Sequence, residues 1–520
     1  MKIPFSTNEV RRAIKSLKNN KSAGIDDIVA EQLKYGPEIV IAGIADIFNN
    51  IAGSGSYPKE IKEGILIPLP KPGKKKGPPG NLRPIILLSV LRKVLAICMI
   101  QRIHSRLNDN ISITQAAYRG GRSTTELIFT VKSLAEKAIT SSSYKITVLL
   151  LDMSKAFDKV DRGTLIEDLK VILNNDELHI LTVLIKDVQL QVRMGNNTGR
   201  PFTTNIGVPQ GDCLSPVLFT LYLAKALKGE IGDHDYAMRE AYEELIPPHL
   251  MEHSYSEPTN EQPIIINQQY ADDIGWVTTA KYKTDSVKRL IPGKLMDRGL
   301  QINATKTEEF VISRGGAEDW KKCKYVGSLI DTAEDIKRRK QLAMASFSQY
   351  KTILTSTKIA LKTRIRLFDA YISSIFLYNS ELWGLTGAQE NIIDVIQRRL
   401  IRRILNIRWP YTISNETLYE RTQLKSWSET ITERRMRWLG HLMRLPAETP
   451  ARQALQECLR PAKRPRGKPK TTWRSRVNQD LKKLRPDLQL GSEALTVLTS
   501  DRMKWKALVS GKAQCRQTAE

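Results

Sequence analysis

The chain has 520 residues, several times the length of a typical domain, so we expect more than one domain or subdomain. Hydrophobic residues make up 41% of it, which is enough for packed cores and excludes a wholly disordered protein. Lysine and arginine number 81 against 55 aspartate and glutamate residues, a formal net charge of +26. This surplus favours a polyanionic partner, most often nucleic acid, over charge kept for solubility alone.

The cysteines and the apolar segments indicate the cellular compartment of the protein. The five cysteines are far apart and form no CxxC pair, which argues against a disulfide framework or a zinc finger and favours a reducing compartment. No run of 18 uninterrupted apolar residues occurs, and the first ten residues lack the apolar stretch of a secretory signal. We therefore expect an intracellular protein, in the nucleus, the cytoplasm or both, that does not span a membrane.

The first hundred residues predict helices, one strand and a loop. Residues 6–9 (STNE) match a capping box and are followed by apolar residues at helical spacing, so a helix should start there. A second apolar helix is predicted over about residues 30–50. Residues 64–69 (GILIPL) are typical of a strand, which leads into a basic loop rich in proline and glycine at residues 71–81.

Two predicted strands end in carboxylates. Residues 147–151 (TVLLL) form a continuous apolar run of strand length that stops at Asp152. Residues 264–277 contain two apolar arms around QQYADD, which predicts a hairpin with Asp272 and Asp273 at its tip.

Charge is unevenly distributed over the rest of the chain. Residues 228–266 carry nine acidic and two basic residues, which predicts an acidic surface insertion. From about residue 335 the pattern becomes helical and increasingly basic, and residues 451–490 carry a net charge of +9. Residues 391–405 predict an amphipathic helix whose apolar stripe is flanked by arginines. We predict that this stripe consists of Ile392, Ile396, Leu400 and Ile404.

The carboxylates at the strand ends point to metal chemistry. Three carboxylates that converge from adjacent strands repel one another, and divalent cations relieve that repulsion. Oxygen ligands favour Mg²⁺, with Mn²⁺ as a substitute, and two ions roughly 3.5–4 Å apart serve in-line phosphoryl transfer. The alternative is that these acids are ordinary turn residues.

Several segments follow one another in a fixed order along the chain. Three of them are LDMSKAFDKVD (151–161), IGVPQGDCLSPVLF (206–219) and YADDI (270–274). In this order they resemble motifs A, B and C of reverse transcriptases. Flanking segments resemble further motifs of the same family: NLRPIILLS (81–89, fingers motif), GLQINATKT (299–307, motif D) and KYVGSLID (324–331, primer grip).

Two other segments, KSAGIDDI near the start and ERRMRWLGHLMRLP at residues 433–446, resemble those of non-LTR (LINE-type) retrotransposons. The resemblance covers nearly the whole chain.

The resemblance implies an α+β fold of the right-handed polymerase type, with fingers, a palm built on an antiparallel sheet, a helical thumb and a basic, mainly helical C-terminal region. On this basis we expect fingers and the start of the palm at residues 1–145. The palm, with motifs A to E and the acidic insertion, should occupy residues 146–330, the thumb residues 331–410, and the basic region residues 411–520.

The implied function is RNA-directed DNA polymerase, in which dNTPs are added to a primer 3′-hydroxyl by two-metal nucleotidyl transfer. The implied partners are an RNA template, a DNA primer and dNTPs, and no protein partner can be inferred. Two alternatives stay open, a catalytically idle RNA-binding remnant of a retroelement and an RNA-directed RNA polymerase. The chain begins close to the first fingers motif, so we expect it to lack the N-terminal endonuclease usual in such elements.

The resemblance also assigns roles to residues of the metal site. Asp152, Asp272 and Asp273 would hold two Mg²⁺ ions, together with the backbone carbonyl of Met153. Lys306 matches the motif D lysine, a general acid to the leaving pyrophosphate, and a plain surface lysine is the alternative.

The residues placed at the incoming nucleotide are of several kinds. Arg83 matches the fingers arginine that clamps the triphosphate, since a guanidinium suits phosphate oxygens. Lys71 is a second phosphate contact for which residues 74–76 (KKK) compete, unless the loop is merely solvated. Phe157 should lie under the sugar and exclude a 2′-hydroxyl, unless it is a core aromatic. The full set is Lys71, Arg83, Phe157, Gln210 and Gly211.

The C-terminal third should provide an electrostatic cradle for the template–primer duplex. Two predicted helices present arginines, and residues 463–470 (KRPRGKPK) are either an RNA contact or a nuclear import signal. The predicted nucleic-acid contacts are Arg398, Arg399, Arg402, Arg403, Arg434, Arg435, Arg437, Lys463, Arg464 and Arg466.

Overall fold

The computed structural model is a mixed fold of helices and strands. It describes residues 4–54, 57–73, 75, 77–227, 264–462 and 470–511. Almost all of the predicted acidic insertion lies outside these residues, as do the predicted contacts Lys463, Arg464 and Arg466. Within the described part of the chain, no helix is both long and apolar enough to cross a bilayer.

The N-terminal helices form one layer. α1 (Thr7–Ser16) begins at Ser6, whose hydroxyl accepts a hydrogen bond from the Glu9 N–H group, so the predicted N-cap is confirmed. The second predicted helix is divided at Gly36 and Pro37, because a residue before proline disfavours the helical conformation. The helices of this layer are α1, α2 (Ala30–Tyr35), α3 (Glu38–Ser54) and α4 (Val90–Asp109).

The first sheet contains the predicted GILIPL strand. β1 pairs antiparallel with β2 and parallel with β4, and the two short strands β5 and β6 pair with β4. The basic loop predicted at residues 71–81 connects β1 to β2. The strands are β1 (Glu63–Pro70), β2 (Leu82–Leu88), β4 (Val188–Met194), β5 (Asn197–Thr198) and β6 (Phe202–Thr204).

The second sheet is antiparallel and contains the strands that end in carboxylates. Its strand order is β7-β8-β3-β9. The strand and the hairpin predicted from the apolar runs are both confirmed. The strands are β3 (Ile146–Leu151), β7 (Ile265–Tyr270), β8 (Asp273–Thr278) and β9 (Glu308–Ile312).

Strand β3 is apolar along its whole length because both faces of this sheet are covered. Leu149 and Leu151 belong to the core shared with the N-terminal helices, whereas Val148 and Leu150 belong to a core under α5. Successive side chains of a strand point to opposite faces, so a strand buried on both sides carries no polar alternation. The helices around the sheet are α5 (Thr124–Thr140), α6 (Arg162–Lys170), α7 (Asn175–Ile185), α8 (Ser215–Ala226) and α9 (Lys281–Met296).

The chain then becomes mainly helical, after a small hairpin of β10 (Lys324–Tyr325) and β11 (Ser328–Leu329). A separate core here is built around large side chains such as Phe347, Phe368, Trp383 and Trp427. The first helices are α10 (Thr332–Leu354), α11 (Leu361–Phe368), a π-helical turn (Asp369–Ser373) and α12 (Ser374–Phe376). They are followed by α13 (Gly387–Ile404), α14 (Asn415–Thr422), α15 (Trp427–Arg444) and α16 (Pro450–Leu459). The last are α17 (Trp473–Leu484), α18 (Glu493–Ser500) and α19 (Arg502–Val509).

The predicted amphipathic helix is α13, but its apolar stripe lies one position away from the prediction at its start. Ile392 is 58% exposed, and Ile393 is buried in its place. The buried stripe also takes in Gln397 and Ile401, so it follows a wider helical face than the strict four-residue spacing. The prediction is therefore wrong for Ile392 and correct for Ile396, Leu400 and Ile404.

The C-terminal helices pack against α5. Phe129 of α5 makes edge-to-face contacts with Trp438 and Trp473, with ring centroids 5.7 and 4.8 Å apart. Lys137 of α5 donates to the Glu457 carboxylate of α16 at 2.6 Å. The C-terminal region is therefore joined to the helix that also covers one face of the second sheet.

A buried ion pair connects α4 to the loop before α8. The side chains of Arg92 and Asp212 are 0% and 2% exposed and lie 2.9 Å apart. Arg92 also donates to the carbonyl oxygens of Ile61 and Leu184, and Asp212 accepts from the Leu214 N–H group. These bonds fix the loop before α8 against α4, and they also connect α4 to the C-terminal end of α7.

We predict that Arg92→Met destabilises the protein by about 3–5 kcal/mol, because it leaves the Asp212 carboxylate buried without a countercharge. Urea unfolding measures the change. Lys170→Met, which breaks an exposed pair with Glu167, is the control and should cost at most about 1 kcal/mol. A double variant Arg92→Met/Asp212→Leu should recover much of the loss, and no recovery would contradict the explanation.

Candidate active site

The candidate site lies at one edge of the second sheet. β7 and β8 are joined by a tight turn in which Tyr270 pairs with Asp273, and Ala271 has a positive φ of 54°. In the adjacent strand Leu151 pairs with Ile274, so Asp152 follows at the same edge. The structure thus brings together Asp152, Asp272 and Asp273.

Two of the three carboxylates, Asp272 and Asp273, have a raised pKa. Burial raises the pKa of Asp273 to about 6, and the charges of Asp272 and Asp152 add to that rise. Burial also raises the pKa of Asp272, again with a contribution from Asp152. Burial is the larger cause of both shifts, and the negative charge of Asp152 adds to it.

A lysine places a positive charge beside the carboxylates. Lys306 Nζ lies 2.8 Å from Asp152 Oδ2, although the lysine side chain itself is 63% exposed. The segment before it is tied to motif A, because the Asn303 N–H group donates to the Asp152 carbonyl at 2.7 Å and the Ser154 N–H group to the Gln301 carbonyl at 2.9 Å. These two bonds lie on either side of Met153, and neither of them uses the Met153 carbonyl oxygen.

The donor types suit a hard divalent cation, since carboxylates and a backbone carbonyl are the oxygen ligands that Mg²⁺ takes. In the described residues, however, no three His, Cys, Asp or Glu side chains approach closely enough to form a ligand cluster. Asp152 Oδ2 is paired with Lys306, so a cation bound at this oxygen would compete with the lysine.

The motif B loop is held against both motif A and β2. Gln210 donates through Nε2 to Asp158 Oδ1 at 3.0 Å, and its carbonyl accepts from the Ile86 N–H group at 2.8 Å. Gly211 has a φ of 128°, and a Cβ atom there would collide with the Ile86 carbonyl oxygen. Only glycine therefore fits at this position.

Phe157 lies between the loop and the core. It is half-buried in a 3₁₀ turn (Ala156–Lys159), and its ring stacks on Phe219 with centroids 4.4 Å apart. Its carbonyl accepts from the Val208 N–H group at 2.8 Å. The ring is thus anchored by packing while part of it remains exposed, so both predicted roles stay open.

The predicted phosphate-binding residues lie on the β1–β2 hairpin. Arg83 is exposed on β2, opposite Leu69. The Lys71 ammonium donates a hydrogen bond to the Gly80 carbonyl at 3.0 Å, so it stabilises its own loop in this structure. The competing Lys74 and Lys76 lie outside the described residues.

The predicted nucleic-acid contacts on α13 and α15 differ in exposure. Arg399, Arg403 and Arg437 are exposed, whereas Arg398 is half-buried. Arg402 donates to Asn415 Oδ1 at 2.9 Å and so fixes the chain after α13. Arg434 is half-buried and donates to the Leu377 carbonyl at 2.7 Å.

The prediction of a nucleic-acid contact at Arg435 is wrong. Its side chain is fully buried, where it pairs with Asp480 of α17 and donates to the Trp383 carbonyl. Burial lowers its pKa, and the Asp480 charge opposes that change. Arg435 therefore holds α15 to α17 and cannot reach a ligand at the surface.

Sequence reasoning missed Gln115, which lies behind the carboxylate hairpin. The residue is fully buried, and its Oε1 accepts hydrogen bonds from the N–H groups of Ala271 and Ala117, each at 3.0 Å. The available signal was a lone amide in the apolar sequence ITQAA at residues 113–117.

A model of the family "Reverse transcriptase (RNA-dependent DNA polymerase)" matches residues 69–330, slightly more than half of the chain. Among solved structures, two of telomerase from Candida tropicalis are similar at 14% identity. The apo form covers 90% of this chain and 74% of its own, with a TM-score of 0.40. The complex with a fragment of telomeric RNA covers 77% and 65%, with a TM-score of 0.37.

Curated relatives include three from Drosophila. The probable RNA-directed DNA polymerases from transposon BS and transposon X-element of Drosophila melanogaster are each 25% identical and cover 85% of this chain. The RNA-directed DNA polymerase from mobile element jockey of Drosophila funebris is 22% identical over 78% of the chain. The matches cover 49%, 48% and 44% of these relatives, so the chain spans about half of their length.

These relatives are polymerases of non-LTR retrotransposons, as the sequence motifs predicted. The family match includes β3, the carboxylate hairpin and the motif B loop, which together form the candidate site. The chain belongs to the reverse transcriptase (RNA-dependent DNA polymerase) family.

Proposed function

We propose that this protein is an RNA-directed DNA polymerase of retroelement origin, which extends a DNA primer on an RNA template with dNTPs. The observation that carries the proposal is the gathering of Asp152, Asp272 and Asp273 at one edge of an antiparallel sheet, within the segment that the family model matches. The pKa of Asp272 and that of Asp273 are both raised, which supports a site built for a cationic partner.

In this proposal the fold is a right-handed polymerase. The second sheet serves as the palm, the β1–β2 hairpin belongs to the fingers, and α10 to α13 form the thumb. The order of these elements along the chain supports the assignment. The boundaries at residues 145, 330 and 410 remain predictions.

The chemistry would rest on a few side chains. Asp152, Asp272, Asp273 and the Met153 carbonyl would hold two Mg²⁺ ions, which when bound would stabilise the charge developing on the transferred phosphoryl group. Lys306 is already within hydrogen-bonding distance of Asp152. On leaving Asp152 it would donate a proton to the departing pyrophosphate.

The nucleotide would be positioned by groups from three segments. The exposed guanidinium of Arg83 would bind the triphosphate, and Lys71 would join it after releasing the Gly80 carbonyl. The loop at Gln210 and Gly211 would lie against the nascent base pair. The Phe157 ring, which stacks on Phe219, would contact the sugar.

Primer extension on poly(rA)/oligo(dT) with Mg²⁺ and dTTP tests the proposal directly. Incorporation above a no-enzyme control is the expected result. Binding of the duplex without incorporation would favour the idle RNA-binding remnant instead.

We predict that Asp152→Asn and Asp272→Asn each reduce extension at least tenfold, since the carboxylates serve chemistry. The melting temperature should stay close to that of the wild type, because the Asp152–Lys306 pair involves a largely exposed lysine and Asp272 lies beside like charges. Asp285→Asn, the same change at an exposed position on α9, is the control and should keep wild-type rate. Retention of more than about a tenth of the rate, a loss below ~1.4 kcal/mol, would contradict the assignment.

Phe157→Val should admit ribonucleotides, because a smaller side chain leaves room for the 2′-hydroxyl. The expected change in rNTP/dNTP discrimination is on the order of 2–4 kcal/mol, measured by steady-state insertion of each nucleotide. Phe48→Leu, a truncation of a fully buried ring in α3 away from the site, is the control and should leave the ratio unchanged. A change below about threefold in Phe157→Val would make Phe157 a core aromatic.

The double variant Arg399→Gln/Arg403→Gln should bind the template–primer duplex with a log–log salt slope lower by roughly 1–2 units, since each lost phosphate contact removes about 0.9. Fluorescence anisotropy over a salt series measures the slope. Arg485→Gln/Lys504→Gln removes the same charge from exposed residues of the C-terminal region and should leave it unchanged. Equal slopes in the two variants would mean that α13 does not track the duplex.

A further inference from the structure

The turn that carries the two aspartates is not determined by its own residues. Two-residue hairpin turns of this kind need positive φ values and usually contain Asn, Asp or Gly at such positions. Here an alanine, Ala271, has a φ of 54°. The surrounding structure must therefore hold the turn, since alanine gains nothing from this conformation.

Gln115 provides that support through one side-chain amide. Its Oε1 accepts from the Ala271 N–H group at 3.0 Å, and its Nε2 donates to the Ala271 carbonyl at 3.5 Å. The same Oε1 accepts from the Ala117 N–H group at 3.0 Å, which fixes the orientation of the amide. Both backbone polar groups of the turn residue are thus bound by one buried side chain.

The backbone around Gln115 is itself attached to the hairpin. The Gln269 N–H group donates to the Thr114 carbonyl at 3.0 Å, and the Ala116 N–H group donates to the Gln269 carbonyl at 2.9 Å. Gln115 and Gln269 form a parallel bridge, so residues 114–116 continue the sheet beyond β7. The amide therefore has a fixed distance and direction to the turn.

Gln115 cannot act on substrate itself. Its exposed fraction is 0%, and the described contacts of its side chain are all with backbone groups. Ala271 directly precedes Asp272 and Asp273 in the chain, so a change in its backbone angles would move both carboxylates.

We propose that Gln115 is a positioning residue of the active site, which holds the Ala271 turn so that Asp272 and Asp273 share one cation-binding geometry with Asp152. This role rests on the proposed polymerase function only where activity is concerned. The hydrogen bonds to the turn are a property of the fold and can be tested without turnover.

Gln115→Met tests the proposal, because methionine has similar length but forms none of the three hydrogen bonds. Gln397→Met is the matched control. Gln397 is equally buried, accepts from the Trp427 N–H group at 2.8 Å and donates to the Lys425 carbonyl at 3.0 Å, but it lies in α13. Both variants should lose comparable stability. A difference in activity between them therefore measures the effect on the position of the aspartates and not the loss of stability.

Three measurements separate the variants. Hydrogen exchange of a peptide spanning residues 268–275 should become at least tenfold faster in Gln115→Met and stay near wild type in Gln397→Met. Mn²⁺ binding by electron paramagnetic resonance should weaken several-fold only in Gln115→Met. In primer extension the Mg²⁺ concentration for half-maximal rate should rise several-fold and kcat should fall at least tenfold, with KM for dNTP within about twofold.

Unchanged exchange at residues 268–275 would overturn the proposal, as would equal effects of the two variants on Mn²⁺ binding. If wild-type protein fails to extend any primer, the polymerase proposal fails, but faster exchange and weaker Mn²⁺ binding in Gln115→Met would still support the positioning role. A fall in kcat without a change in Mg²⁺ requirement would assign Gln115 to stability alone.

Discussion

The antiparallel pairing of β3 with β8 is the constraint on which the site depends. The register that opposes Leu151 to Ile274 places like charges at one edge of the sheet. That register is fixed because β3 has one apolar core on each face, and a slip of one residue would exchange them. The packing of the two cores therefore holds the carboxylates close together, and the positive charges of Lys306 and Lys324 offset part of their repulsion.

The elements of this sheet were predictable because their physical signals are local. The run TVLLL predicts a strand covered on both faces, and the apolar arms around YADD predict a hairpin; both are present. Helix stripes are less certain at their ends, as the exposed Ile392 shows. Its environment depends on which neighbouring helix reaches that far, and spacing within one helix does not contain that information.

Buried polar pairs could not be predicted, because their partners lie far apart in the sequence. Arg435 has the charge pattern of a surface arginine, yet its carboxylate is Asp480, 45 residues away. Arg92 and Asp212 are separated by 120 residues, and Gln115 and Ala271 by 156. In each case a polar group becomes acceptable inside the protein only through the tertiary partner that binds it.

The net charge of a segment therefore does not show where a polyanion would bind. In the C-terminal third, Arg476 pairs with Glu390 and Asp480, Arg460 with Glu457, and Arg485 with Asp487. These charges are largely compensated within the protein, whereas Arg399 and Arg403 are exposed on α13. Removal of the C-terminal region would also uncover Phe129 of α5, so it would disturb the helix that covers the second sheet as well as change the charge. Single exposed arginines, changed one or two at a time, are therefore the means to separate electrostatic binding from the packing that supports the active site.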